Sequence, residues 1–422
     1  MKRNVIVLFA TASSLLVMSS CRGQTFDRQA TFEMVWNKVN GTFFDATFGG
    51  LNWKDAHDRY LPRTMAAGTD DEFYRLVNKM LWELNISHAN LIPPGFLAKR
   101  EPLVCAEGSP GIDVRVLNGV AVITSVRRGS PAEKAGLRPG HVIEATDGIP
   151  VGQIVQEAEM VVRPPDNSRN RIGIVTKAIL GRIYGPAGTE VSIAYSDERG
   201  EKSEKKLIRS KRSGRAVGPS GILYLAVELE ARRLDNGIGY IRLNTFQPPL
   251  VTQVSSAIRS LGNVSGIIFD VRGNAGGEIE GMPDLFLKEK ALLYLSRSRK
   301  GETKIFIDPA NDAFRGPLVL LIDQLTGSAG ELFAGCLQAI GRATVVGERS
   351  PGAVTESDMM PLPNGAIFMY PVAQLATPDG TVLEGHGVVP NIQVGLDRHM
   401  LLKGIDSQLE AAVGYLEKGT KK

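Results

Sequence analysis

The sequence is poor in cysteine and in long apolar runs. Its 422 residues contain 3 cysteines, Cys21, Cys105 and Cys336. The two that follow Cys21 are too few for a disulfide framework. After the first twenty residues, no segment offers the roughly 18 uninterrupted apolar residues that a spanning helix requires. We therefore expect that the processed chain does not span a membrane.

A strong excess of either charge is also lacking. Lysine and arginine total 49, aspartate and glutamate total 45, and the formal net charge is +4. So small an excess gives no reason to expect a nucleic-acid partner. The hydrophobic fraction of 43% and the charged fraction of 22% are typical of globular proteins. The length is sufficient for two or three domains with substantial cores.

The first twenty residues differ from the rest. Lys2 and Arg3 precede an apolar stretch over residues 5–18, and Ser19, Ser20 and Cys21 follow. This pattern predicts an export signal over residues 1–20. Cys21 stands where a bacterial lipoprotein is acylated, which predicts a lipid anchor at Cys21 and a location in the periplasm. The alternative is ordinary signal cleavage that leaves Cys21 as a thiol.

Hydrophobic spacing divides the remaining chain into three regions. Residues 21–102 are helical in pattern, and Thr69 begins a helix with acidic residues in its first turn. Residues 103–215 contain short strands and turns. Residues 216–422 alternate strands with helices, which predicts an α/β unit.

The segment T-G-S-A-G-E, residues 326–331, lies between a predicted buried strand and a helix. Ser328 would therefore sit on a tight turn beside a helix N-terminus, where backbone N–H groups and the helix dipole favour a developing negative charge. That position suits a nucleophile in acyl transfer. The alternative is a simple helix cap, because small polar residues begin most helices.

A second segment, D-V-R-G-N-A-G-G-E, runs from Asp270 to Glu278 and joins a buried strand to a glycine-rich loop. Glycines allow a backbone to approach a ligand and leave N–H groups available. One half of an oxyanion hole, a phosphate cradle and a tight turn all remain open. The phosphate interpretation lacks both G-x-G-x-x-G and the Walker lysine.

A serine nucleophile needs a base, and the chain has 5 histidines. Only His88, in the pair Ser87-His88, and His386, in L-E-G-H-G-V-V-P, lie in stretches with other unusual features. A lone histidine is more often structural than catalytic. We expect His141 to be a surface variant and not a ligand.

The order of these segments resembles the C-terminal processing, or tail-specific, protease family. The segment G-S-P-A-E-K-A-G-L-R-P-G-H-V-I, residues 129–143, is similar to a PDZ domain of the bacterial protease type. It lies between Ser87-His88 and the two motifs above, and E-G-H-G-V-V-P follows them, in the family's order. The resemblance implies a multi-domain α/β protein with a ClpP/crotonase-like protease core over residues 216–422. A helical N-terminal region and an inserted PDZ domain over residues 103–215 complete it.

The family has two catalytic branches, and one departure distinguishes them here. One branch pairs the serine with a lysine about 25 residues later. Ala353 stands at that position, and alanine cannot act as a base. The other branch is similar to the tricorn core protease, which uses serine, histidine, a second serine and glutamate. Ser87-His88 and Glu384 occupy the corresponding places.

The resemblance then implies a role for each matching residue. Ser328 attacks the peptide carbonyl, His88 transfers the proton, and Ser87 and Glu384 polarise and orient these groups in an order that the sequence does not give. The oxyanion would be bound by the N–H group of Ala329 together with that of Gly276 or of its neighbour Gly277.

For the PDZ domain, the resemblance implies capture of a substrate C-terminus by strand addition near Gly111, Ile112 and Asp113. Protein or peptide substrates are thus the expected partners, and no metal or organic cofactor is needed. Three alternatives remain: a catalytically silent envelope protein that binds peptides or ligands, a PDZ scaffold, and an amidase or esterase acting on small substrates.

Overall fold

The computed structural model describes residues 26–97, 101–160, 168–212, 214–217 and 224–419. The predicted export signal and Cys21 lie outside these ranges. Among the described residues, no helix combines the length and the apolarity needed to cross a bilayer.

The N-terminal region is helical, as predicted. Its elements are helices α1 (Arg28–Thr42), α2 (Trp53–Met65) and α3 (Asp70–Trp82), a 3-10 turn (Phe48–Gly50) and strand β1 (Asn90–Ile92). Thr69 is the N-cap of α3, because its hydroxyl accepts from the N–H of Glu72 at 3.2 Å. Phe32, Val35 and Val39 are buried on one face of α1. Ser87 and His88 lie between α3 and β1.

The middle region is a sheet with helices against it. Its helices are α4 (Pro102–Cys105), α5 (Pro131–Lys134), α6 (Val151–Glu159) and α7 (Ser168–Ile183). Its strands are β2 (Gly108–Ser109), β3 (Ile112–Leu117), β4 (Val120–Val126), β5 (Val142–Thr146), β6 (Ile149–Pro150), β7 (Glu190–Ser196), β8 (Lys202–Ile208) and β9 (Ser210–Lys211). The main sheet has the order β3-β4-β5-β7-β8, so β3 is an edge strand.

The sequence of residues 163–171, polar and rich in proline, is typical of a loop, yet its last four residues begin helix α7. The helix begins at Ser168 and packs its buried Val175, Ile179 and Leu180 into the core of this region. Arginine and asparagine near its start obscure the apolar periodicity in the sequence. Residues 161–167 are outside the described ranges.

The C-terminal region contains the remaining elements. Its strands are β10 (Arg215–Val217), β11 (Tyr224–Ala226), β12 (Leu229–Arg233), β13 (Gly239–Leu243), β14 (Ile267–Asp270), β15 (Ala291–Ser298), β16 (Gly301–Ile307), β17 (Leu318–Ile322), β18 (Thr344–Gly347), β19 (Glu356–Pro361), β20 (Ile367–Ala376) and β21 (Ile392–Gln393). Its helices are α8 (Pro248–Ser260), α9 (Ala329–Ala339), α10 (Arg398–Leu402) and α11 (Ser407–Gly419), with a 3-10 turn at Pro283–Leu285.

A six-stranded sheet organises this region in the order β12-β13-β14-β17-β18-β21. The β12–β13 pair is antiparallel and the following pairs are parallel. Strands β14 and β17 are buried along their whole length, which explains their continuous apolar sequences. The carboxyl ends of these neighbouring strands lead directly into the glycine-rich loop and the Ser328 turn. The fold therefore brings the two segments together at one edge of the sheet.

A second sheet connects the N-terminal region to this core. Strand β1 pairs with β20, and Asn90 lies opposite Met369 in that pairing. Strand β20 also pairs with β15 and β19. Because β1 begins two residues after His88, this pairing fixes Ser87-His88 against the core.

Candidate active site

Ser328 occupies a strained turn between β17 and α9. Its backbone has φ 52° and ψ −122°, which glycine adopts readily and other residues rarely. Its N–H donates to the carbonyl of Ala353 at 2.9 Å and to Oε2 of Glu331 at 3.2 Å. Such strain persists only where surrounding contacts hold it, and it concentrates at functional sites. The turn leaves the Ser328 side chain half-buried at the start of a buried helix.

A hydrogen-bonded chain links His88, Ser87 and Glu384. The Ser87 hydroxyl lies 2.5 Å from Nδ1 of His88 and donates to Oε2 of Glu384 at 3.0 Å. A hydroxyl has one hydrogen and a carboxylate only accepts, so Nδ1 of His88 must be the donor to Ser87. In that tautomer Nε2 of His88 carries a lone pair. The order of these contacts, which the sequence did not give, is therefore histidine, serine, glutamate.

Two carboxylates, the buried Glu331 and the half-buried Glu384, hold the loop that faces Ser328. Four successive backbone N–H groups of this loop point at them: those of Gly352 and Ala353 at Glu331, at 2.6 and 2.8 Å, and the next two at Glu384, at 2.7 and 2.8 Å. Glu384 also accepts from the N–H of Ser87 at 2.6 Å. Since the carbonyl of Ala353 binds Ser328, this loop connects the nucleophile turn to the histidine chain.

Glu331 is completely buried beneath the Ser328 turn. Its carboxylate also accepts from the hydroxyl of Ser350 at 2.6 Å. Burial raises the pKa of Glu331 to about 7, although its hydrogen bonds to Ser350, Ala353 and Gly352 act in the opposite direction. The sequence interpretation gave this residue no role. A glutamate three residues after a serine at a helix start is the capping-box spacing, and that signal was available.

The glycine-rich loop lies against Ser328. A Cβ atom added to Gly276 would fall 2.5 Å from Cβ of Ser328 and 2.9 Å from the N–H nitrogen of Ala329. The N–H of Gly276 donates to Oδ1 of Asn274 at 2.8 Å, so its hydrogen is engaged. For the N–H of Gly277, no partner is found in the described part of the chain. Ala329 is the first residue of α9, where an N–H has no acceptor within the helix.

Buried arginines join the middle region to this site. Arg115 of β3 donates to Oδ2 of Asp323 at 2.7 Å, and Oδ1 of Asp323 accepts from the N–H groups of Gly273 and Leu325. Asp113 accepts from Arg115 at 2.7 Å and from Arg242 at 2.9 Å. Burial opposes ionisation of Asp113, yet the two guanidinium groups lower its pKa to about 2.

The segment predicted to bind peptides lies at the start of β3. Gly111 has φ 90° and packs tightly against Ser130, and its N–H donates to Oγ of Ser109 at 3.0 Å. The carbonyl of Ile112 accepts from the hydroxyl of Tyr184 at 2.9 Å. The Asp113 carboxylate faces the arginines and not the open edge of the strand.

Two further histidines differ in their settings. The expectation that His141 lies on the surface is wrong: it is 4% exposed and stacks on Tyr195 with ring centroids 5.1 Å apart. Its Nδ1 accepts from the N–H of Arg138 at 3.4 Å and its Nε2 lies 3.5 Å from the Glu198 carboxylate. His386 is exposed, and its Nδ1 lies 3.0 Å from the carbonyl oxygen of Glu384.

Family models match three parts of the chain. Peptidase family S41 matches residues 237–394, the tricorn protease C1 domain matches residues 26–82, and the PDZ domain matches residues 122–176. A carboxyl-terminal-processing protease of Synechocystis sp. is 29% identical over 366 residues, 84% of this chain and 78% of the relative. The chloroplastic carboxyl-terminal-processing peptidase 2 of Arabidopsis thaliana is 26% identical over 99% of this chain and 79% of its own.

Solved structures share the fold. The photosystem II D1 C-terminal processing protease aligns with a TM-score of 0.57 and 22% identity, over 90% of this chain and 97% of that one. The tricorn protease aligns with a TM-score of 0.52 and 16% identity, over 94% of this chain and 37% of its own. These likenesses confirm the α/β core with a helical N-terminal region and a PDZ domain.

Fold and matches together define a serine peptidase that carries a PDZ domain. Residues 237–394 match peptidase family S41, and most of the chain is similar to carboxyl-terminal-processing proteases. Its substrates are therefore peptides or proteins, and the comparisons give no support to the catalytically silent alternative.

Proposed function

We propose that this peptidase acts through an acyl-enzyme on Ser328, with His88 as its base. The order of hydrogen bonds from His88 through Ser87 to Glu384 carries the proposal, because it leaves Nε2 of His88 able to accept a proton. The loop from Gly352 to Thr355 supports it further, since it binds both Glu384 and the Ser328 turn.

The steps follow from these groups. Oγ of Ser328 bonds to the scissile carbonyl carbon while its proton passes to Nε2 of His88. The C–N bond then breaks, and His88 gives that proton to the leaving amine. Water deprotonated by His88 attacks the acyl group, and the Ser328 oxygen recovers a proton as the acid leaves. The N–H groups of Ala329 and Gly277 stabilise the oxyanion at each addition step.

A serine-directed fluorophosphonate probe tests the assignment. We expect wild type to be labelled, Ser328→Ala to lose all labelling, and His88→Ala to label at least about 100-fold more slowly. Ser256→Ala and His399→Ala are matched controls on exposed positions and should label as wild type. Labelling that persists in Ser328→Ala contradicts the nucleophile, and unchanged labelling of His88→Ala contradicts the base.

We also propose that the PDZ domain, over residues 103–215, captures substrate C-termini along β3 near Gly111, Ile112 and Asp113. The position of β3 at the edge of its sheet supports this, because an added strand pairs along an edge strand. The names of the relatives, carboxyl-terminal-processing proteases, agree with it. A peptide with a free C-terminal carboxylate should be cleaved faster than the same peptide as its amide, and equal rates would contradict this part.

Finally, we propose that residues 1–20 direct export and that Cys21 is acylated. The helical region over residues 21–102, the PDZ domain over residues 103–215 and the core over residues 216–422 would then lie in the periplasm on a lipid anchor. The basic and apolar N-terminal sequence supports this. Growth with a radiolabelled fatty acid should label wild type and not Cys21→Ser. Equal label in both would contradict the anchor.

A further inference from the structure

Two glutamines are completely buried, and they differ in how their carboxamides are satisfied. Gln408 is 0% exposed; its Oε1 accepts from Arg272 at 2.9 Å and its Nε2 donates to the carbonyl of Val394 at 2.8 Å. Gln247 is also 0% exposed, yet neither Oε1 nor Nε2 has a hydrogen-bond partner among the described residues. A buried polar group without a partner costs stability, so its retention needs an explanation.

Gln247 stands beside the proposed oxyanion hole. It precedes α8, and the residue before it, Phe246, exchanges backbone hydrogen bonds with Gly276 at 2.8 Å and Glu278 at 3.0 Å. A Cβ atom added to Gly277 would fall 2.8 Å from Nε2 of Gln247. Gly276 in turn contacts Ser328. The unpaired carboxamide therefore adjoins the loop against which a scissile carbonyl would rest.

We propose that Gln247 is a substrate-binding residue whose carboxamide pairs with a main-chain amide of the bound peptide next to the scissile bond. A glutamine side chain offers one acceptor and N–H donors, the same set as a peptide unit, so the two can exchange hydrogen bonds. The inference rests on the proposed function at Ser328 and adds a contact that selects peptide substrates.

Burial of Gln247 in the free enzyme is compatible with this role. Contact with a peptide requires the side chain to rotate or the glycine-rich loop to shift. An unpaired carboxamide breaks no hydrogen bond in that movement and gains two, whereas Gln408 would break those it has. The Gln247 carboxamide therefore gains its hydrogen bonds only in the complex with substrate.

The matched substitutions Gln247→Met and Gln408→Met test the proposal in the full chain. The Gln247 side chain makes no cap hydrogen bond to α8, so the helix start should survive the change. We expect Gln247→Met to keep or raise the melting temperature and to lower kcat/KM for a peptide by about 10- to 100-fold. Labelling by a fluorophosphonate that lacks a peptide main chain should stay within about 2-fold of wild type. Gln408→Met should lower the melting temperature.

Each other outcome overturns the inference. A fall in melting temperature for Gln247→Met as large as that for Gln408→Met would mean that the Gln247 carboxamide is already paired within the fold. Unchanged kcat/KM would mean that it does not contact substrate, and Gln247→Leu should repeat either result. Failure of the proposed function is seen separately, because wild type would then not be labelled at all.

Discussion

Two groups of acids in the protein differ in how their carboxylates are satisfied. The arginine-paired cluster contains four aspartates and three arginines: Asp113, Asp270, Asp323, Asp406, Arg115, Arg242 and Arg272. The loop-binding pair, Glu331 and Glu384, accepts hydrogen bonds from backbone N–H groups and serine hydroxyls. Within the described ranges, no ion pair joins either glutamate to a basic side chain.

This difference indicates which group of acids can respond to charge that develops during the reaction. A guanidinium holds an aspartate ionised, and the pKa of Asp113 is about 2. In the part of the chain that the structure describes, the loop-binding pair has only neutral hydrogen-bond donors, so no fixed cation shields it from charge that develops nearby, such as that of a histidine that becomes positive during catalysis. We therefore expect the arginine-paired cluster to govern stability and the loop-binding pair to govern activity.

The largest expected effect is on activity, from Glu384→Gln. An amide nitrogen cannot accept, so the variant loses either the hydrogen bond from the Ser87 N–H, which Oε1 accepts, or those from the Ser87 hydroxyl and the loop, which Oε2 accepts. We expect peptide hydrolysis to fall by about 10³- to 10⁴-fold with a small change in melting temperature, measured by initial rates and thermal unfolding. The exposed Glu410 gives the control Glu410→Gln, which should match wild type. A Glu384→Gln enzyme of normal rate would remove the distinction between the two groups.

The next largest effect is on stability, from Arg115→Met. This change leaves the Asp323 carboxylate buried without its cation, at a cost of about 3–5 kcal/mol, which a lowered urea midpoint would report. Lys290→Met provides the comparison, because Lys290 and Asp308 form an exposed pair with side chains 60% and 70% accessible and should contribute little. If Arg115→Met abolished labelling of Ser328 without moving the midpoint, the cluster would belong to catalysis instead.

The smallest effect is a pH dependence of about 3 kcal/mol. The pKa of Glu331 is raised from 4.5 to about 7, so its contribution to stability is full below pH 4.5 and is lost as pH rises through 7. The contribution of Asp113, whose pKa falls from 3.8 to about 2, is present above pH 3.8 and lost on further acidification. Urea midpoints between pH 4.5 and 7.5 should therefore fall less steeply in Glu331→Gln than in wild type. Asp113→Asn should keep the wild-type slope there, and identical slopes in all three would contradict the assignment.

Local signals were sufficient for much of the fold and for part of the site. The apolar run at Leu318–Ile322 predicted β17 at its observed bounds, and Thr69 marked the start of α3. These features depend on neighbours along the chain. The same holds for the Ser328 turn, which the strand-to-helix change indicated. The roles of Ser328, His88, Ser87 and Glu384 stay predictions.

The rest depends on contacts between residues far apart in the chain. Arg115 and Asp323 are separated by 208 positions, and Ser87 and Glu384 by 297. No periodicity records such pairs, so the arginine-paired cluster and the loop-binding role of Glu331 were not predicted. His141 was placed on the surface because it stands where the PDZ pattern usually has aspartate, whereas the fold turns its ring inward against Tyr195.

The loop from Gly352 to Thr355 has a consequence for how catalytic branches of this family can diverge. Ala353 serves the site with its N–H and its carbonyl, which every residue except proline provides. The contacts that residue 353 makes with the site therefore do not depend on its side chain. A basic residue at this position would leave the backbone contacts of the loop and the nucleophile turn unchanged.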